Sequence, residues 1–116
     1  MRRPVEIALR GIAASGALEK FITEEAHKLD SACDLVLGCQ VVAEAVQREK
    51  QRAAQFAVRL IITLPGTEVV VNREHGDDVY MAVRDAFVAA RLQLEDHMRR
   101  RGNPHRSRDG APGSRG

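Results

Sequence analysis

The residues best suited to proton-transfer chemistry lie together in one short stretch of the chain. Glu74, His75, Asp77 and Asp78 combine carboxylates with an imidazole, which is the composition of an acid–base site. The carboxylates also have a simpler role, because they precede a helical pattern and can cap its first turn. No phosphate-binding glycine loop or nucleophile motif follows a predicted strand. We therefore expect a protein that is not an enzyme and has no small-molecule substrate.

Metal ligation is the second chemistry to consider. The chain contains four histidines, His27, His75, His97 and His105. Neither these nor the two cysteines, Cys33 and Cys39, show a ligand spacing such as Cys-x-x-Cys or His-x-x-x-His. Two cysteines without a further pair predict reduced thiols in a cytosolic protein, and Cys39 lies in an apolar pattern typical of a core residue. The sequence thus predicts neither a metal nor a cofactor.

Binding of a polyanion is the third possibility, because positive charge collects at one end of the chain. From Arg99 onward there are six arginines and one acidic residue, a net charge of +5, whereas 12 basic and 15 acidic residues give 1–98 a net charge of −3. A basic tail often binds RNA or DNA through counterion release, although a solvated arm that keeps the protein soluble is the alternative. Residues 103–116 are rich in Gly, Pro, Ser and Arg. We predict one domain over 1–102 and a disordered tail over 103–116.

The clearest helical pattern runs from His75 to Arg101. Its apolar residues recur at spacings of three and four, the period of one helix face, at Val79, Ala82, Val83, Ala86, Phe87, Ala90, Leu94 and Met98. We expect a helix of about 22 residues that begins after a cap at Asp77 or Asp78 and ends in arginines. A helix with one apolar face needs an apolar surface to cover.

Alternating apolar residues before this helix predict the strands of such a surface. The patterns indicate strands over 4–10, 35–46 and 56–64 and a fourth strand containing Val69 and Val71 after a tight turn at Pro65-Gly66. A first helix is expected over 17–31 with Ser15 as its cap. Residues 47–52 contain no apolar side chain, which predicts an exposed loop.

The element order β-α-β-β-β-α determines the expected architecture. A helix that connects the first two strands makes them parallel, whereas short turns make the later strands antiparallel. Both helices have one apolar face, so we expect an α+β fold with a four-stranded mixed sheet and two helices on one face. No apolar run approaches the roughly 18 residues that span a bilayer, and no signal peptide precedes the first strand. We expect a cytoplasmic protein with no membrane partner.

The element order and the sequence Asp78-x-Tyr80-x-Ala82-Val83 at the last helix resemble the family of ribosome hibernation-promoting factors and ribosome-associated inhibitors, also called sigma-factor modulation proteins. Further agreement is found at Ala17-Leu18, Phe21-Ile22, Lys28-Leu29-Asp30, Val41-Val42 and Pro65-Gly66. The resemblance covers residues 5–101.

The resemblance implies a double-stranded-RNA-binding-domain-like fold, which recognises backbone shape more than sequence. It also implies a non-enzymatic cytoplasmic protein that binds the small ribosomal subunit and its rRNA under stress or in stationary phase, inhibits translation and promotes hibernation. Long-form members add a dimerising domain that a chain of 116 residues is too short to contain. The chain is therefore similar to a short form with its own tail.

Several positions depart from the family pattern. The last helix of the family usually carries Lys-Leu-x-Arg-Gln-Leu-x-Lys, and its three basic positions correspond here to Ala89, Leu92 and Asp96. Glu44 stands in a strand that often bears lysine. Fewer phosphate contacts should weaken RNA binding. The candidate RNA-binding residues that remain are Arg84, Arg91, Arg99, Arg100, Arg101, Arg48, Lys50 and Arg52.

Arg84 and Arg91 are the preferred candidates in the body, because a spacing of seven residues places both on one flank of the last helix. The alternative hypothesis is a divergent member that works as a protein-interaction or dimerisation module without strong rRNA binding. A homodimer of this kind could form through the open sheet face or through Leu92 and Val88.

Overall fold

The computed structural model of the chain describes residues 1–46, 55–76 and 78–102, without the side chains of residues 76, 101 and 102. Within these ranges the elements are β1 (Glu6–Arg10), α1 (Gly16–Ala32), β2 (Gly38–Val46), β3 (Gln55–Leu64), β4 (Thr67–Gly76) and α2 (Val79–Gly102). The predicted order β-α-β-β-β-α is confirmed. The predicted loop at 47–52 and the predicted tail at 103–116 lie outside the described residues.

The four strands form one mixed sheet in the order β1-β2-β3-β4. β1 pairs with β2 in parallel, across the long connection that α1 provides, and the later pairs are antiparallel. Ile7, Val41, Leu60 and Val71 are in register and form one row across all four strands. Gly66 adopts a φ of +77°, which glycine accepts without steric cost, and so closes the predicted turn between β3 and β4.

Both helices cover the same face of the sheet, as the sequence predicts. The side chains that they bury in the shared core are Leu18, Ile22, Ala26 and Leu29 from α1 and Ala82, Val83, Ala86, Phe87, Ala89, Ala90 and Leu94 from α2. These residues repeat at three and four positions, so each helix presents one continuous apolar stripe to the strands. The α+β architecture with two helices on one face is confirmed.

Ser15 caps α1, as predicted. The amide of Leu18 donates to Ser15 Oγ at 3.3 Å, and the amide of Glu19 donates to the Ser15 carbonyl oxygen at 3.0 Å. The first bond satisfies one of the amides that the first turn of a helix leaves without an intrahelical partner, and the second is the first intrahelical bond of α1.

Removing this cap gives a testable change in stability. Ser15→Ala is expected to lower the free energy of unfolding by about 1 kcal/mol, because the Leu18 amide loses its acceptor. Urea denaturation followed by circular dichroism measures the difference. Ser31→Ala, at an exposed position in the last turn of α1, is the matched control and should not destabilise the protein. Equal losses in the two variants would exclude a capping role.

The second strand begins later than the sequence predicts. Residues 34 and 35 form a turn after the C-cap Cys33, and β2 starts only at Gly38. Val36 is nonetheless buried, and the Leu37 amide donates to the Thr63 carbonyl oxygen at 2.8 Å. The apolar residues before Gly38 therefore close the core beneath α1 instead of extending the strand.

The boundary between β4 and α2 agrees with the predicted start of the last helix after a cap at Asp77 or Asp78. His75 belongs to β4, because it pairs with Phe56 in the ladder to β3, and α2 begins at Val79. The Tyr80 amide donates to Asp78 Oδ1 at 2.9 Å, which confirms Asp78 as a cap. Asp77, the other predicted cap, lies outside the described residues.

Cys33 and Cys39 are free, buried thiols, in agreement with the prediction of reduced cysteines. Burial raises the pKa of the Cys39 thiol to about 11. The neutral thiol is thus favoured in the folded state, and the reactive thiolate is scarce at physiological pH.

Cys39 should make stability depend on pH in the alkaline range. The pKa is about 8.5 in an unfolded chain and higher in the folded protein, so its contribution is complete below pH 8.5. It is then lost at about 1.4 kcal/mol per pH unit as the pH rises toward 11. Urea titrations at several pH values should show this slope in the natural protein and a shallower one in Cys39→Ala. Identical slopes would contradict the prediction.

Candidate nucleic-acid interface

The described acid–base candidates, Glu74, His75 and Asp78, do not converge on one site. Asp78 caps α2, and His75 approaches Asp85 of α2 at 4.0 Å on the helix side of the sheet. Glu74 lines a cavity on the opposite, open face. Because side chains alternate between faces along a strand, neighbours such as Glu74 and His75 are separated by the sheet itself. Glu74, His75 and Asp78 therefore do not form an acid–base cluster.

Arg84 and Arg91 meet α1 along a groove between the two helices. The helix groove has a volume of about 210 Å³ and is lined by Glu25, Lys28, Leu29, Arg84, Phe87, Val88 and Arg91. The buried side chains of Leu29 and Phe87 form its apolar base. Phe21 and Tyr80 hold the helices together nearer their N-termini, with ring centroids 5.2 Å apart.

Positive charge predominates in the helix groove. Lys28 Nζ lies 3.0 Å from Glu25 Oε2, so the one carboxylate of the groove is paired within its own helix. Arg84 and Arg91 are both exposed, and seven residues, or two turns, separate them along α2. Two guanidinium groups spaced along a groove can each donate to a phosphate of an RNA backbone.

Lys28 is a candidate that the sequence analysis did not assign to RNA. Its helical position indicated only a solvent-facing side chain. The sequence indicated this role of Lys28 only indirectly. Two helices on one face of a sheet must lie side by side, and Lys28 is on the side of α1 that faces α2.

Arg99 and Arg100 have a different environment from Arg84 and Arg91. Arg99 Nη2 lies 3.2 Å from Asp96 Oδ1, and Arg100 also forms an ion pair with the Asp96 carboxylate. All three side chains are exposed, and exposed ion pairs are worth less than about 1 kcal/mol. A phosphate could therefore replace Asp96 at little cost.

Arg100 does not extend the helix groove. Nine residues, or two and a half turns, separate Arg91 from Arg100, which places these two on opposite sides of α2. The side chain of Arg101 and the predicted candidates Arg48, Lys50 and Arg52 lie outside the described part of the chain. The structure therefore brings together Arg84 and Arg91 but not Arg100.

The open face of the sheet carries a second, broader cavity of about 560 Å³. Its charged lining residues are Arg10, Glu44, Arg59, Arg73 and Glu74. Arg10 is in register with Glu44 across β1 and β2, so a carboxylate lies directly beside a candidate cation. Because this cavity contains both arginines and glutamates, it is less suited to binding a polyanion than the helix groove is.

Among residues 1–46, 55–76 and 78–102, no group of three or more His, Cys, Asp or Glu side chains is placed to hold a metal ion. No helix within the same ranges is both long enough and apolar enough to cross a bilayer.

Two solved structures resemble this fold. One is a ribosomal subunit interface protein from Coxiella burnetii, with 18% identity and a TM-score of 0.68 over 81% of this chain and 96% of that one. The other is the N-terminal domain of Thermus thermophilus Protein Y, with 21% identity and a TM-score of 0.67 over 79% and 94% of the respective chains. A search of curated protein sequences found no significant match.

A family-level comparison covers nearly all of the described chain. The family described as "Sigma 54 modulation protein / S30EA ribosomal protein" matches residues 5–102, from just before β1 to the last residue of α2. The match contains both helices and all four described strands, so it includes the helix groove. The chain therefore belongs to the sigma 54 modulation protein / S30EA ribosomal protein family of ribosome-associated factors.

Proposed function

We propose that this protein binds the small ribosomal subunit in the cytoplasm through the rRNA backbone, inhibits translation and promotes hibernation under stress. The observation that carries the proposal is the helix groove, in which Arg84 and Arg91 stand two turns apart on one flank of α2. Family membership supports the ribosome as the partner. Catalysis has no part in this function, since occupancy of the subunit is sufficient to stop translation.

The charges of the groove favour recognition of the phosphate backbone over recognition of base sequence. Guanidinium groups form paired hydrogen bonds with phosphate oxygens, and such contacts position a protein without reading bases. Lys28 adds a positive charge on the α1 side of the groove. Its ion pair with Glu25 is exposed and weak, so Lys28 can bind a phosphate instead of Glu25. We therefore expect binding that depends on the shape of the rRNA and weakens with salt.

The body of the chain contributes only part of the positive charge. Residues 1–98 have a net charge of −3, and the arginines from Arg99 onward reverse that sign. We infer that the groove sets the position on the subunit, whereas the C-terminal arginines add affinity through less specific phosphate contacts.

Sedimentation with purified small subunits tests this function. The full chain should pellet with the subunits at about 50 mM salt and dissociate progressively toward about 200 mM. A variant that ends at Gly102 retains all of α2, so the difference between its binding and that of the full chain measures the contribution of residues 103–116 to affinity. Translation of a reporter message should fall in proportion to the subunits occupied. A protein that remains in the supernatant at both salt concentrations would refute the proposal.

A further inference from the structure

The outer surface of α2 carries an apolar line that the core does not use. Met81, Val88 and Leu92 are 41%, 43% and 60% exposed, and spacings of seven and four residues place them on one side of the helix. We call this line the α2 crest. No described residue covers it.

The α2 crest is a ridge between two grooves. The helix groove lies on its α1 side, and a second groove of about 390 Å³ lies on its β4 side. Val88 lines both grooves, whereas Leu92 lines only the β4-side groove. Helices associate when the ridge of one enters the groove of another, so a helix with a ridge and adjacent grooves can pack against a copy of itself.

The two flanks of the α2 crest differ in charge. Arg84 and Arg91 line the α1-side flank, although the exposed Glu95 follows Arg91 by one turn. On the β4-side flank Asp85 approaches His75, and Arg73 lines the same groove, so this flank has one carboxylate and one arginine. A two-fold axis parallel to α2 would place the α1-side flank of one copy against the β4-side flank of the other. Because Arg84 and Asp85 are adjacent in sequence, each Arg84 would then stand opposite the partner's Asp85.

We propose that two copies of this chain associate in parallel through the α2 crest, and that this dimer masks the helix groove from RNA. The masking step rests on the proposed function, whereas the dimer does not. The same flank that carries Arg84 and Arg91 faces the partner, so one surface of α2 cannot contact a second copy and an rRNA backbone together. Free protein would be stored as a dimer, and the ribosome would bind the monomer.

The dimer should be weak and reversible. Three apolar side chains and a pair of symmetric ion pairs form a small interface, which is characteristic of transient complexes. A weak dimer suits the proposed role, because rRNA must displace the second copy.

Sedimentation velocity of the full chain over a range of concentrations tests the dimer. We expect a monomer–dimer equilibrium that Leu92→Gln weakens about a hundredfold, since each of the two leucines buried per dimer supplies about tenfold in affinity. Val70→Gln is the control, because Val70 is 40% exposed on the open sheet face. Asp85→Lys should also weaken the dimer, by introducing like charges. A monomer at all concentrations, or equal loss in Val70→Gln, would overturn the proposal.

Disulfide trapping tests the parallel orientation. Met81→Cys and Leu92→Cys, made separately and oxidised with copper phenanthroline, should each yield a cross-linked dimer, because a parallel axis brings equivalent residues together. The buried native thiols should remain unreacted, as the raised pKa of Cys39 favours. In an antiparallel pair neither variant would cross-link alone, but an equimolar mixture of the two would. That result would overturn the parallel arrangement.

The trapped dimer also tests the masking step. Oxidised Leu92→Cys should sediment with small subunits at less than a tenth of the level reached by the same variant after reduction. Equal binding by the two forms would refute masking while leaving the proposed function intact. A natural chain that forms the dimer but does not sediment with subunits would instead refute the proposed function.

Discussion

Replacing Arg84 and Arg91 together with glutamate is expected to reduce affinity for the small subunit about a hundredfold, because each lost phosphate contact contributes roughly one order of magnitude. The slope of log affinity against log salt should become shallower by about two, since two fewer counterions are released. Quantitative sedimentation at several salt concentrations measures both quantities. Both side chains are exposed, so the variant should retain its thermal stability.

The matched control for this experiment is Arg10→Glu with Arg59→Glu. Both arginines are exposed on the open sheet face, and the double variant changes the net charge by the same amount. Charge effects between exposed groups fall off over about 8 Å at physiological salt, so the control should bind nearly as well as the natural protein. An equal loss in both double variants would attribute binding to net charge. Full binding by the groove variant would remove the groove from the interface.

The second large effect concerns stability. Leu60→Ala is expected to lower the free energy of unfolding by about 2–5 kcal/mol, because it leaves a cavity at the centre of the sheet. Leu60 is fully buried in β3, in the row of side chains that crosses all four strands beneath the helices. A domain of this size has a total stability of about 5–15 kcal/mol, so the loss is a large fraction of it. Urea denaturation at equilibrium measures the change.

Leu92→Ala provides the corresponding control on the surface. The chemical change is identical, but Leu92 is 60% exposed on α2 and leaves no cavity when it is shortened. We expect its effect on stability to lie within about 0.5 kcal/mol, provided that the protein is dilute enough to be monomeric. A loss at Leu92 comparable to that at Leu60 would mean that the α2 crest is covered in the monomer.

Local sequence was sufficient to predict the helices and strands and the face that each of them buries. It was less successful in predicting where each element begins and ends. The cap at Ser15 and the turn at Gly66 depend on a few adjacent residues, and both were predicted correctly. The start of β2 was not, because strand length depends on the neighbouring strand. His75 stays extended since Phe56 pairs with it across the ladder, and no local pattern reports that pairing.

The sequence by itself determined the α+β fold, the shared apolar face of the two helices and the placement of Arg84 and Arg91 on one flank of α2. Each of these follows from the spacing of residues along the chain. Side chains return to the same side of a helix about every 3.6 residues and to the same face of a strand about every two. Only the tertiary structure decided that Lys28 lines the same groove as those arginines and that Val88 lies between two grooves. It also decided that Glu74 and His75 belong to a strand and so face opposite sides of the sheet. These relations depend on how two helices pack on one sheet, and packing joins residues that are distant in sequence.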